Sequence, residues 1–122
     1  MEAKGILDGR RILVVEDDAM IALDLQEALR DSGATVVGPA GTPAEALAAI
    51  EDGKVDCALL DIKLGDEDVS AIAEVLERLA VPIIFVTANV GPPPGFETRL
   101  VVQKPYEQRT LLNFIASIVN SD

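Results

Sequence analysis

Apolar residues fall along this chain in short runs that alternate between two spacings. Near-continuous runs occur at Arg11–Val15 (RILVV), Val55–Leu60 (VDCALL) and Pro82–Val86 (PIIFV). Runs of this length suit strands buried on both faces of a parallel sheet. Between them, apolar positions recur three and four residues apart, which lines up one face of a helix. The stripes are Ile21, Leu25, Ala28 and Leu29 in Ala19–Asp31, and Ala46, Leu47 and Ile50 in the helix opened by Thr42. Further on they are Ile72, Val75, Leu76 and Leu79 in Val69–Leu79, and Leu111, Leu112, Ile115 and Val119 in Glu107–Val119. Gly33 and Gly53 stop the first two helices, and Thr42 with Glu45 forms a capping box around Pro43. Thr35–Gly38 and Leu100–Val102 supply a second and a fifth strand. Strict alternation of strands and helices predicts an α/β domain built on a doubly wound five-stranded parallel sheet.

The rhythm breaks once. Between Thr87 and Leu100 a crossover needs a helix, yet Pro92, Pro93 and Pro94 cannot sit inside one. The fourth helix is therefore expected to be short or missing, with at most one turn at Phe96–Arg99, and the Pro-rich segment is expected to be mobile. The domain reads as residues 11–122 behind a ten-residue N-terminal leader. No output domain is expected after the last helix, so the chain reads as a single-domain protein or a piece of a longer one.

Composition narrows the class. The 122 residues are 49% hydrophobic and 25% charged, a globular balance sufficient for one core. No run approaches membrane-spanning length, and MEAKGILDGR lacks the apolar stretch of a signal peptide. The lone Cys57 lies in an apolar run and reads as a buried thiol. These features point to the cytoplasm. A net charge of −11 without any basic run argues against nucleic acid and anionic membranes as partners.

The chemistry lies where the strands stop. The first ends at Glu16-Asp17-Asp18 and the third at Asp61. In open α/β sheets, ligands sit at the carboxyl ends of the strands. Carboxylates gathered there repel one another and suit a hard cation such as Mg²⁺. Each residue also has a plainer reading. Asp18 is placed to cap the next helix, Asp61 alone would be an ordinary strand-ending residue, and Thr87 and Lys104 would be a β-branched strand residue and a surface charge.

Taken together, Glu16-Asp17, Asp61, Thr87-Ala88 and Lys104-Pro105, each after its own strand, resemble the receiver domain of two-component response regulators (CheY-like). The resemblance spans about Arg11 to Val119. It implies the flavodoxin-like strand order 2-1-3-4-5. It implies Asp61 as phosphoacceptor, forming an aspartyl-phosphate. Mg²⁺ would be held by Asp17, Asp61 and the Lys63 backbone carbonyl, with Glu16 acting through a water. Thr87 and Lys104 would receive the phosphoryl oxygens. A cis peptide before Pro105 is also implied. Lys63 and Asn89 would flank the attacking water and tune phosphate lifetime.

One departure concerns signalling. Many receivers carry an aromatic switch residue three positions before the Lys, whereas this chain has Val101, so coupling of Thr87 to a rotating ring cannot operate. The chain instead resembles an atypical single-domain subgroup with a Phe-Ala-Thr-Gly-Tyr motif. Gln103-Lys104-Pro105-Tyr106 fits that subgroup in full, while Phe85-Val86-Thr87-Ala88-Asn89 keeps only the Phe and Thr. Ordering of the Pro-rich loop on phosphorylation is the expected substitute for a flipping ring. The implied partners are a histidine kinase or histidine phosphotransfer protein, docking near the first helix with Met20 or Leu23 as contacts, and a downstream protein. The chain would be a monomer or weak dimer. It would be no enzyme beyond its own phosphotransfer and autodephosphorylation. Two other functions compete. One is a phosphorylation-independent pseudo-receiver. The other is an Asp-nucleophile phosphatase, which would want an acid where Lys63 stands.

Overall fold

The computed structural model describes residues 5–64, 67–87 and 100–120. In chain order the elements are β1 (Arg11–Val15), α1 (Ala19–Asp31), β2 (Thr35–Ala40), α2 (Pro43–Asp52), β3 (Cys57–Asp61), β4 (Lys63–Leu64), β5 (Glu67–Asp68), α3 (Ser70–Arg78), β6 (Ile83–Thr87), β7 (Leu100–Gln103) and α4 (Gln108–Val119). Five strands pair in the order β2-β1-β3-β6-β7, all parallel. Counted along the sheet's own strands this is the expected 2-1-3-4-5 order. The anticipated short or missing fourth helix, the Pro-rich loop, Ala88 and Asn89 all lie outside the described residues.

Alternation along each strand divides the core in two. Leu13 and Val15, Ala58 and Leu60, and Ile83 and Phe85 face the α2–α3 side. Ile12 and Val14, Cys57 and Leu59, and Ile84 face the α1–α4 side. Both faces of β1, β3 and β6 are therefore covered, which is why these strands read as continuous apolar runs.

Several boundaries shift from the sequence reading. The second strand runs on to Ala40, because Val15 still pairs with Ala40 beyond an irregularity in the register. The third begins at Cys57, leaving Asp56 free to accept the Arg11 backbone N–H at 2.8 Å. The third helix ends at Arg78, so Leu79, expected to face inward, lies just past it and is 56% exposed. Within the helix, Ile72, Ala73 and Leu76 are the buried positions. A short antiparallel pair, β4 with β5, follows Asp61 and has no counterpart in the sequence reading.

The segment before β1 also packs. Leu7 is fully buried, and its N–H donates to the Ser32 carbonyl at 2.8 Å. The Asn120 side-chain amide donates to the Ile6 carbonyl, and the Arg10 guanidinium donates to Asn120 Oδ1 at 2.9 Å. Residues 6–10 thus tie the end of α1 to the end of α4.

Candidate functional site

β1, β3 and β6 all end at one edge of the sheet, which delivers Glu16, Asp61 and Thr87 to the same place. The Glu16 N–H donates to the Ala40 carbonyl at 2.9 Å, continuing the β1–β2 ladder one residue past β1. Asp18 then caps α1, its carboxylate accepting from Met20 and Ile21 at 3.0 and 3.1 Å. Beside it, Glu16 Oε2 accepts the Asp18 N–H at 3.0 Å. Glu16, Asp61 and Thr87 are buried, and Asp17 is exposed.

β7 brings Lys104. Its N–H donates to the Thr87 carbonyl at 2.6 Å, so the last rung of the β6–β7 ladder fixes Lys104 against Thr87. The Lys104-Pro105 peptide is cis, as the resemblance implies. The Lys104 ammonium reaches Asp61 Oδ2 at 3.0 Å and Glu16 Oε1 at 3.2 Å. Carboxylate oxygens of Glu16, Asp17 and Asp61 all lie within 4.8 Å of one another. Among the described residues, Lys104 thus pairs with two of three neighbouring carboxylates, in a partly buried, acid-rich pocket. The donors are all oxygen, which suits a hard divalent cation.

The titration behaviour follows from burial. Glu16 is pushed above its ordinary value chiefly by desolvation, with the Asp61 charge adding to it and the Asp18 N–H and Lys104 opposing it. For Lys104, desolvation pulls downward, but the hydrogen bonds and charges of Asp61 and Glu16 outweigh it and hold the ammonium above its usual value. Lys104 is thus the resident cation on Glu16 and Asp61 among the described residues.

The structure therefore brings together Glu16, Asp17, Asp61, Thr87 and Lys104. Lys63 enters through its backbone in β4, where it pairs with Asp68, and Leu64 beside it is buried as an anchor. Val101 stands in β7, an end strand of the sheet, and is 39% exposed. Asn89 lies outside the described residues. Sequence reasoning gave no separate role to Tyr106, which is half-buried beside the site. Burial raises its phenol above the ordinary value, and the charges on Glu16 and Asp61 act the same way. The available signal was that it is the chain's single tyrosine, two residues past Lys104.

A parallel sheet of this order, with paired acids after its first strand, an acid after its third and a lysine after its last, defines a receiver fold. Residues 12–116 match the response regulator receiver domain, and the chain belongs to that family. Among its relatives, the transcriptional regulatory protein PdtaR of Mycobacterium tuberculosis (strain ATCC 25618 / H37Rv) is 39% identical over 80 residues, covering 65% of this chain and 39% of PdtaR. The phyllosphere-induced regulator PhyR of Methylorubrum extorquens is 33% identical over 106 residues, covering 79% of this chain and 38% of PhyR. The chain thus spans about two-fifths of the length of these two relatives. The solution structure of SdrG from Sphingomonas melonis Fr1 superposes with a TM-score of 0.78 at 34% identity, over 98% of this chain and 99% of that one. A CheY-like receiver protein of Methanospirillum hungatei JF-1 gives a TM-score of 0.81 at 30% identity, over 91% and 94% of the two chains.

Proposed function

We propose that this chain is a phosphoacceptor of a two-component or phosphorelay system, phosphorylated on Asp61 in a Mg²⁺-dependent reaction and signalling by protein–protein contact. The observation that carries this reading is the Lys104 ammonium held at 3.0 Å from Asp61 within a pocket that also gathers Glu16 and Asp17. Carboxylates of Asp17 and Asp61 and the Lys63 carbonyl would hold the ion, with Glu16 acting through a water. The ion supplies positive charge that offsets repulsion between the carboxylates and an incoming phosphoryl group.

The chain's own residues do the rest. An Asp61 carboxylate oxygen forms a bond to phosphorus as the phosphorus–nitrogen bond of a phosphohistidine donor breaks, and the donor imidazole leaves as the neutral ring, taking that electron pair on the departing nitrogen and keeping the proton on its other nitrogen. Lys104 pairs with one phosphoryl oxygen, and the Thr87 hydroxyl donates to another. Lys63 and Asn89 tune the lifetime of the product. The donor is a histidine kinase or histidine phosphotransfer protein whose helices dock on α1, where Met20 is 69% and Leu23 48% exposed. A downstream protein reads the result, without nucleic acid or membrane as partner and with the chain a monomer or weak dimer. The chain falls in the subgroup without an aromatic switch. Val101 in the switch position and the run Gln103-Lys104-Pro105-Tyr106 support that placement. Among the described residues no helix is long and apolar enough to cross a membrane, and we place the protein in the cytoplasm.

Incubation with acetyl phosphate and Mg²⁺ followed by intact mass measurement tests this. The wild type is expected to gain one phosphoryl group, and Asp61→Asn none. A wild type that gains nothing, or an Asp61→Asn variant that gains as much, overturns the proposal.

A further inference from the structure

Beside the acidic site a groove of about 460 Å³ runs between α1 and the start of α4. Ile21 and Leu25 form one wall, and Lys104, Pro105, Tyr106 and Gln108 form the other. Gln108 closes on α1 by donating to the Asp24 carbonyl at 3.4 Å. Lys104 belongs to both places. Its chain lines the groove, while its ammonium ends on Asp61 and Glu16.

We propose that Tyr106 is a positioning residue that carries the state of the acidic site into this groove, through Lys104, in the role that Val101 cannot fill. The inference rests on the metal-binding phosphoacceptor reading above. A divalent cation held by Asp17 and Asp61 would compete with the Lys104 ammonium for Asp61 Oδ2 and, through a water, for Glu16 Oε1. Repulsion between the two positive charges would then loosen the hold of the ammonium on those oxygens. The Lys104 backbone is held by its N–H on the Thr87 carbonyl. Its side chain is thus the part free to move, and it moves along the groove wall that Tyr106 shares. Tyr106 packs against the α1–α4 core and is half-buried, so a change in that wall alters the surroundings of its ring. Coupling of this kind is reciprocal. Whatever occupies the groove and holds Tyr106 changes cation affinity by the same factor as the cation changes its own.

The chain offers a direct probe, because it has one Tyr and no Trp. The full chain is titrated with MgCl₂ while its tyrosine emission is followed, and Mg²⁺ binding is measured in parallel by calorimetry. The expected result is a saturable emission change whose midpoint coincides with the calorimetric one. In Lys104→Met the three carboxylates still bind Mg²⁺ by calorimetry, but the emission change is lost. Calorimetric binding with flat wild-type emission overturns the inference and leaves the phosphoacceptor reading standing. So does an undiminished emission change in Lys104→Met, which would mean that the ring senses the ion directly. Absence of calorimetric binding to the wild type overturns both.

Discussion

The two ends of the sheet treat charge in opposite ways. Where the strands begin, polar groups pair with one another. The Arg11 N–H binds Asp56, the Arg11 side chain donates to the Lys54 carbonyl at 2.6 Å, and Arg10 and Ile6 are bound by Asn120. Where the strands end, Glu16, Asp17 and Asp61 gather in one cluster, and Lys104 pairs with Glu16 and Asp61. A balanced end is expected to serve stability. An acid-rich end is expected to cost stability and to favour cations. Substitutions at the first should therefore act alike with and without Mg²⁺, and those at the second should not.

The largest effect is expected from Leu7→Ala at the balanced end. Its side chain is fully buried, so the loss should be about 2–5 kcal/mol in urea denaturation, the same in EDTA and in Mg²⁺. A loss below about 0.5 kcal/mol would show that the segment before β1 is not part of the core. Next comes Lys104→Met at the acid-rich end. In EDTA it should lose about 1–3 kcal/mol, because buried Glu16 and Asp61 lose the Lys104 ammonium. Saturating Mg²⁺ should restore most of it. A variant equally unstable in both conditions would mean that the acid cluster is not felt. Asn120→Ala should lose about 1 kcal/mol, with no response to Mg²⁺, since its hydrogen bonds lie at the exposed surface of the balanced end.

The smallest effect belongs to Cys57 in the core between the two ends. Burial pushes its thiol from 9.0 to about 12. The folded state thus holds the proton more tightly than the unfolded one. That contribution to stability is fully present below 9.0 and is lost only as pH rises toward about 12. Stability near neutral pH should be indifferent to the thiol. Alkylation at roughly pH 8 should proceed only at the rate at which the chain unfolds, and fast labelling of the native protein would contradict this.

How much of this was legible in the sequence depends on how many residues carry each signal. β1, β3 and β6 are buried on both faces, so every residue in them reports the same thing. β2 was cut short because Gly38-Pro39 reads as a stop, yet pairing to β1 resumes at Ala40. The β4–β5 hairpin, drawn from Lys63-Leu64 and Glu67-Asp68, has no β-branched residue and leaves no strand pattern. Leu7 and the partly buried Ile6 stand alone between glycines and charged residues, and two adjacent residues show no period. Leu79 fits the helical spacing, but α3 ends before it. The positions of the candidate site were legible because each is fixed by the end of a strand. The sharing of Lys104 between Asp61 and Glu16, and the seating of Tyr106 in the groove, depend on side-chain placement that no spacing encodes.

The most direct measurement is the location of the covalent phosphate. The chain is loaded from acetyl phosphate in Mg²⁺, the acyl phosphate is reduced with borohydride, and the digest is sequenced by mass spectrometry. The account predicts a single modified residue, Asp61, with Glu16 and Asp17 unaltered. Modification at either of those carboxylates instead, or at none, would contradict it.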